Sequence, residues 1–139
     1  MATGTQIVQP EDITIEFLEE LFDAAYMRVS RKDDGVLLTE DFKVYVEPQG
    51  EGKRLSLTVL FGLRESAPLE ERFDFVNRIN DSLIVVRAYV TGTARDALVL
   101  DYYVSVEGGV TARSLVYAVK TFQQLVKAAL NKDENNLLD

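Results

Sequence analysis

The sequence predicts an α+β domain with the element order α-β-β-α-β-β-α, in which a single antiparallel sheet is packed with helices. Apolar residues recur at helical spacing in three segments, and four other segments alternate between apolar and polar residues. Turn residues join the alternating segments in pairs, which indicates two hairpins. Because an isolated hairpin is only marginally stable, we expect the four strands to share one sheet that the helices cover.

Composition sets limits on this domain. The chain has 139 residues with 47% hydrophobic content, which is enough to bury the core of one domain. We expect a single domain over 1–139, with an ordered core at about 12–130 and flexible ends at 1–11 and 131–139. The 23 acidic residues outnumber the 15 basic ones, and the net charge of −8 disfavours nucleic acid and anionic membranes as partners.

Two residue types are absent, and both absences restrict the chemistry. Without cysteine there is no disulfide and no thiol nucleophile, and without histidine the commonest general base and metal ligand are missing. We therefore expect no enzymatic activity, no metal and no cofactor. The first residues show no signal-peptide pattern and no apolar run is long enough to span a bilayer, so the expected location is the cytoplasm.

Three helices are predicted. The first begins after Thr14, a suitable N-cap, and ends at Asp33-Asp34-Gly35. The second spans 66–81 with Pro68 in its first turn, and the third begins at Thr111. Their apolar sides are, in order, Ile15, Leu18, Phe22, Ala25 and Val29; Leu69, Phe73, Val76 and Ile79; and Leu115, Val119, Phe122, Val126 and Ala129.

Two hairpins lie between these helices. The first joins an alternating strand at 42–46 to another at 55–63 through the turn PQGEG, and the second joins 83–92 to 97–108 around 93–96. One face of the resulting sheet is almost purely apolar and is expected to pack on helices. Its members are Phe42, Val44, Val46, the odd positions from Leu55 to Leu63, Ile84, Val86, Val90, Leu98, Leu100 and Val104.

The stretch DYYVSVEGGVTAR raises the question of a phosphate site, since glycine-rich loops before helices often bind anions. Glu107 places a negative charge at this loop, and no lysine follows in the first turn of the helix. We therefore interpret Gly108 and Gly109 as a sharp turn that uses positive φ, and Thr111 as the N-cap of the third helix.

This region also carries a family resemblance. The stretch ALVLDYYVSVEGGVTARSLVYAVKTFQQLVKAAL resembles the C-terminal half of the YbjN-domain family, bacterial proteins labelled sensory transduction regulators. The shared features are a hydrophobic strand, EGGVT (107–111) and a helix with a central Phe122. Upstream, FVNRIN (75–80) and the strand carrying Arg87-Ala88 resemble the family's middle helix and next strand, so the resemblance covers about 14–130.

The resemblance implies a fold similar to that of the class I type III secretion chaperones, which have the same element order and usually form homodimers that hold extended segments of partner proteins. It therefore implies a non-catalytic binding module and carries over no catalytic residue.

The second face of the predicted sheet is more polar and carries three tyrosines. Tyrosine and arginine are enriched at protein interfaces, so this face supplies our candidates for a dimer or partner interface. They are Tyr45, Leu60, Val85, Arg87, Tyr89, Val99, Asp101 and Tyr103. The turn at 93–96 predicts three cross-strand pairs: Arg87 with Asp101, Tyr89 with Val99, and Val85 with Tyr103. The alternative is an ordinary solvent-exposed sheet face with scattered tyrosines.

These observations lead to two functional hypotheses. The first is a homodimeric protein-binding module, chaperone-like or regulatory, with an unidentified protein partner and with neither nucleic acid nor membrane as partner. The alternative is a small-molecule-sensing regulatory domain with a pocket between the first helix and the sheet. An enzyme that uses tyrosine and carboxylates ranks last, because the sequence has no histidine, no cysteine and no recognisable catalytic motif. Adjacent acids such as Glu19-Glu20 diverge on a helix.

Overall fold

A computed structural model describes residues 4–139. Its helices are α1 (Ile15–Ala24), α2 (Leu69–Ser82) and α3 (Ala112–Leu130), and a short 3-10 helix lies at Pro10–Asp12. Its strands are β1 (Ile7–Val8), β2 (Val29–Lys32), β3 (Gly35–Thr39), β4 (Lys43–Gln49), β5 (Arg54–Gly62), β6 (Arg87–Thr91), β7 (Ala97–Ser105) and β8 (Val110–Thr111).

The predicted fold class is confirmed: three helices accompany a mostly antiparallel sheet. That sheet has six strands in the order β2-β3-β4-β5-β7-β6, and β1 and β8 form a separate two-stranded sheet. The pairings of β2 with β3, β3 with β4, and β6 with β7 are antiparallel. The strands β2 and β6 are therefore the two edges of the larger sheet.

The prediction of a first helix extending to residue 32 was wrong. α1 ends at Ala24, and Tyr26 then takes a φ of +62° while the N–H of Met27 donates to the carbonyl of Phe22. Residues 29–39 instead form the β2–β3 hairpin, in which Lys32 pairs with Gly35. Val29 lies four residues after Ala25, as the helical pattern requires. Residues four positions apart also lie on the same face of a strand, so this spacing fits both structures.

Gly35, the first residue of β3, lies very close to the backbone of β4. A Cβ added to Gly35 would lie 2.2 Å from the carbonyl oxygen of Val46, the residue that pairs with Val36 on β4. Only glycine permits this close backbone approach of β3 to β4. The Asp-Asp-Gly sequence that we interpreted as a helix stop lies in the β2–β3 hairpin, where Asp33 has a φ of +51°.

The chain forms two compact units. The first contains the chain up to Leu57 together with Tyr103–Thr121, and the second contains Thr58–Tyr102 with Phe122–Asp139. In the first unit α1 packs on β2 and β3, where Leu18, Phe22 and Leu38 are inaccessible to solvent. In the second unit α2 packs on β6, and Phe75 and Ile79 are inaccessible. The expectation of one domain stays a prediction.

The third helix has the apolar side that the sequence predicts. Leu115, Val119, Phe122, Val126 and Ala129 are each at most 1% exposed. At its start Gly108 and Gly109 have φ values of +84° and +88°, and the N–H of Ser114 donates to Oγ1 of Thr111 at 3.1 Å. The N–H groups of Ala112 and Arg113 donate to the carbonyls of Gln6 and Gly4. These first-turn donors are engaged within the protein, which favours the turn over an anion site.

Both segments predicted to be flexible make defined contacts where the structure describes them. Val8 pairs with Val110 and is 0% exposed. At the other end Leu137 is 1% exposed, and Leu138 forms a bridge with Leu63. The first three residues of the predicted flexible lead-in lie outside the described residues. The flexibility of both ends stays a prediction that hydrogen exchange can test.

Candidate protein-interaction surface

Helix α2 turns a different side to the core than the sequence predicts. The predicted apolar side was Leu69, Phe73, Val76 and Ile79, but Leu69 and Phe73 are each 48% exposed. Ile79 is buried as predicted and Val76 is half-buried, whereas Phe75 and Arg72, which lay outside the predicted side, are also buried. The apolar residues at positions 69 and 73 therefore form an exposed row on the helix, spaced four residues apart.

Arg72 determines which side of α2 faces inward. Its guanidinium is buried and donates to five backbone carbonyls, so each of its five N–H groups has a partner. The acceptors are Ala67, Arg64 and Glu65 before the helix and Ala94 and Arg95 in the β6–β7 turn, at 2.8–3.1 Å. Arg72 was not among the residues predicted to be functional, because an arginine among acidic neighbours is indistinguishable from a surface residue until its acceptors are known.

The connection between α2 and β6 exposes two further apolar side chains. Ile84 is 81% exposed and Val85 is 67% exposed, so the placement of Ile84 on the buried face was wrong. Val85 also has a φ of +68°, a region in which a β-branched residue is strained. Strained backbone often accompanies binding function. We name Leu69, Phe73, Ile84 and Val85 the α2 surface.

Asn80 closes part of the edge strand beside α2. Its side-chain amide accepts from the N–H of Ala88 at 2.9 Å and donates to the carbonyl of Ala88 at 3.0 Å. The amide thus takes the place that a neighbouring strand would occupy on β6. An extended segment cannot pair with Ala88 unless Asn80 moves.

The predicted strand pairing of the second hairpin is confirmed in two of three pairs. Arg87 lies opposite Asp101 and Tyr89 lies opposite Val99. The guanidinium of Arg87 donates from Nε to Oδ1 of Asp101 at 3.1 Å, and its Cζ lies 4.8 Å from the centroid of the Tyr89 ring. The third pair is absent from the ladder, because β6 begins at Arg87 and Val85 precedes it.

The eight residues selected as a candidate interface differ in exposure. Six of them belong to the second unit, where Leu60 (63%), Val85 and Arg87 are exposed, Tyr89 is half-buried, and Val99 (4%) and Asp101 (3%) are buried. Burial leaves Val99 and Asp101 almost no side-chain surface for a partner, and Asp101 instead anchors Arg87.

The other two candidates, Tyr45 and Tyr103, lie in the first unit. Tyr103 is 47% exposed and Tyr45 is half-buried. Burial, followed by the negative charges of Glu47 and Asp33, raises the pKa of the Tyr45 hydroxyl, which therefore stays protonated and neutral at ordinary pH. Val85, which also belongs to the α2 surface, is the most exposed of the three apolar candidates, at 67%.

The first unit also contains a shallow groove of about 140 Å³ between the end of α1 and the start of α3. Its lining consists of Gly4, Leu21, Ala24, Ala25, Ala112, Arg113 and Val116. The predicted pocket lay between the first helix and the sheet, whereas this groove is bounded by α1 and α3. Arg113 is its one charged lining residue.

Metal sites and membrane spans can be assessed for residues 4–139. No group of three or more acidic residues in this range is placed to hold a metal ion. Within the same range, none of the helices combines the length and apolar character that a bilayer span requires.

Comparison with solved structures defines the class of fold. E. coli YbjN, described as a "putative transcription regulator", matches with a TM-score of 0.78 and 20% identity over 91% of this chain and 96% of that chain. The type III secretion chaperone SycH from Yersinia pestis, solved in complex with a stable fragment of YscM2, matches with a TM-score of 0.56 and 17% identity over 84% and 97%.

An uncharacterized protein from Methanothermobacter thermautotrophicus also matches, with a TM-score of 0.64 and 10% identity over 89% and 99%. At these identities the likeness concerns the fold, which is that of the type III secretion chaperones and their relatives. The model of the YbjN family, described as "Putative bacterial sensory transduction regulator", matches residues 14–134, and this chain belongs to that family. No curated protein matches the sequence.

Proposed function

We propose that this protein is a non-catalytic homodimeric module that binds polypeptides and acts as a chaperone-like or regulatory adaptor in the cytoplasm. The observation that carries the proposal is the α2 surface, on which four large apolar side chains are between 48% and 81% exposed. Contiguous exposed apolar groups mark interaction sites, and Leu69 and Phe73 lie four residues apart on one side of α2, while Ile84 and Val85 follow its other end. The fold of SycH, which was solved with a protein fragment bound, supports a polypeptide as partner.

The occupant that we propose for the α2 surface is a second copy of this chain. Two copies related by a twofold axis present the same residues to each other, so a row such as Leu69 and Phe73 can pack against itself. The homodimers implied by the family resemblance support this choice. Strand pairing at β6 is disfavoured as the mode of association, because Asn80 already occupies the outward N–H and C=O groups of Ala88.

Phe73→Glu tests this interface. We expect light scattering to give the mass of two chains for the wild type and of one chain for the variant, because a carboxylate cannot be buried at an apolar contact without a partner. Val85→Glu should have the same effect. Since both side chains are exposed in the single chain, both variants should keep the circular dichroism spectrum and the melting temperature of a folded protein.

Tyr117→Glu is the matched control. Tyr117 is 59% exposed on α3 and lies outside the α2 surface, so this variant should remain dimeric. A monomeric wild type, or a Phe73→Glu variant with unchanged mass, would contradict the proposal.

The groove between α1 and α3 supports a second candidate function, a sensor of small molecules. Its apolar lining with one arginine is suited to a small apolar anion. Because a ligand that binds only the folded protein raises the melting temperature, a thermal-shift screen of short-chain carboxylates should find such a compound. Ala24→Leu, which fills the groove, should abolish the shift. A shift that persists in this variant would place the ligand elsewhere.

A further inference from the structure

The segment Asp133–Asp139, which we name the strap, lies against the end of β5 as an added strand. The N–H of Arg64 donates to the carbonyl of Leu137 at 2.7 Å, and the N–H of Asp139 donates to the carbonyl of Gly62 at 3.0 Å. Leu63 and Leu138 form an antiparallel bridge between these two hydrogen bonds. This arrangement is the pattern by which extended peptides bind to a sheet.

One side chain of the strap occupies a buried position. Leu137 is 1% exposed, whereas Asn135 and Asn136 before it and Asp139 after it are exposed. A single deeply buried residue within an exposed extended segment resembles the anchor of a bound peptide. The contact therefore combines main-chain pairing, which is independent of sequence, with a site for one leucine.

The strap is shaped by its own first residue. The carboxylate of Asp133 accepts from the N–H of Leu137 at 2.7 Å and from the N–H of Leu138 at 3.1 Å. Asn136 takes a φ of +54°, which asparagine tolerates better than most residues. This turn presents Leu137 to the sheet.

Basic groups lie along the acidic strap. The guanidinium of Arg64 donates to the carbonyl of Asn136 at 3.2 Å. Arg78 donates to the carbonyl of Lys132 at 3.2 Å, lies 3.9 Å from the carboxylate of Glu134 and also pairs with Asp74 on α2 at 2.7 Å. In a chain with a net charge of −8, these two arginines make the strap position suited to an acidic segment.

We propose that the strap is a displaceable internal ligand, and that the surface it covers at Gly62–Arg64 binds an extended, acidic, leucine-containing segment of another polypeptide. This inference rests on the proposed polypeptide-binding function and assigns it a site. The strap holds few buried groups, so it opens at a lower free energy than the core of the sheet. A partner segment with the same leucine then takes its place, and the tethered strap competes as an autoinhibitor.

The experiment uses the full chain with Leu137→Asn, which releases the strap, and a fluorescent peptide of residues 131–139 as probe. Fluorescence polarisation should show at least tenfold tighter binding to this variant than to the wild type, because the tethered strap competes only in the wild type. The peptide carrying Leu137→Asn should lose binding, whereas the matched peptide carrying Leu138→Asn should keep it, since Leu138 is only half-buried.

Equal binding of the probe to both proteins, or no binding to the variant, overturns the proposal. If the variant is unfolded, hydrogen exchange of the wild type decides. The amide protons of Arg64 and Asp139 should exchange much faster than those of Leu98 and Leu100 in β7, and equally slow exchange overturns the proposal. The mass of Phe73→Glu does not depend on the strap, so failure here is distinguishable from failure of the proposed dimer.

Discussion

Replacing Arg72 with methionine is expected to lower the free energy of unfolding by at least about 3 kcal/mol, although methionine keeps most of the apolar stem. The substitution leaves five backbone carbonyls without their donor, two of them in the β6–β7 turn and three before α2. The carbonyls belong to exposed or half-buried residues, but all five accept from one buried guanidinium, and water that enters this site replaces the charged donor only in part. Urea denaturation followed by circular dichroism measures the loss.

Arg72→Lys separates charge from geometry. An ammonium group has three donors and no planar fork, so it cannot reach five carbonyls around one guanidinium position. We therefore expect lysine to recover little of the lost stability. Arg28→Met is the control, because Arg28 is exposed and no side-chain hydrogen bond of its guanidinium is found among the described residues. A loss below about 1 kcal/mol for Arg72→Met would show that the carbonyl cluster is well solvated.

Asn80→Ala is expected to destabilise the protein by about 2–3 kcal/mol, because it removes both hydrogen bonds of the amide with Ala88. Ala88 is 3% exposed, so solvent has poor access to the groups left behind. The variant also uncovers the outer edge of β6. We therefore expect a second effect, concentration-dependent association through strand pairing, which sedimentation velocity detects.

The matched control is Asn77→Ala on the same helix. Asn77 is exposed and its side chain forms no hydrogen bond within the described part of the chain. The same change in helix propensity thus occurs without loss of the edge contact. If both variants unfold at the same denaturant concentration, the amide contributes nothing beyond helix propensity, and the view of Asn80 as an edge cover is wrong.

The sequence correctly predicts the local elements in which the pattern of apolar residues repeats several times. The third helix repeats its apolar residues over five positions, and all five are buried. Strand pairing of Arg87 with Asp101 followed from the length of the turn at 93–96, since register in a hairpin depends on the turn. The family resemblance likewise rested on a contiguous stretch, and the family match over 14–134 confirms it.

The main error of the sequence-based prediction is the helix that it placed where the β2–β3 hairpin lies. Ala25 and Val29 continue the helical spacing of α1, but Tyr26 takes a left-handed conformation that ends the helix. Tyrosine is not a residue that predicts such a conformation, so no local signal marks this end. Arg31, which the predicted first helix included, lies on β2, and its guanidinium reaches Glu19 on α1 at 3.0 Å. This hydrogen bond raises the pKa of Arg31.

Patterns of residues along the chain were sufficient for the class of fold, the third helix and the register of the second hairpin, because each depends on neighbours within a few positions. Tertiary structure alone decided that α2 buries Arg72 and exposes Phe73, and that the strap docks on β5. Both outcomes depend on where distant carbonyl and N–H groups lie in space. An amphipathic pattern identifies an apolar side of a helix, but the available hydrogen-bond partners determine which side the core accepts.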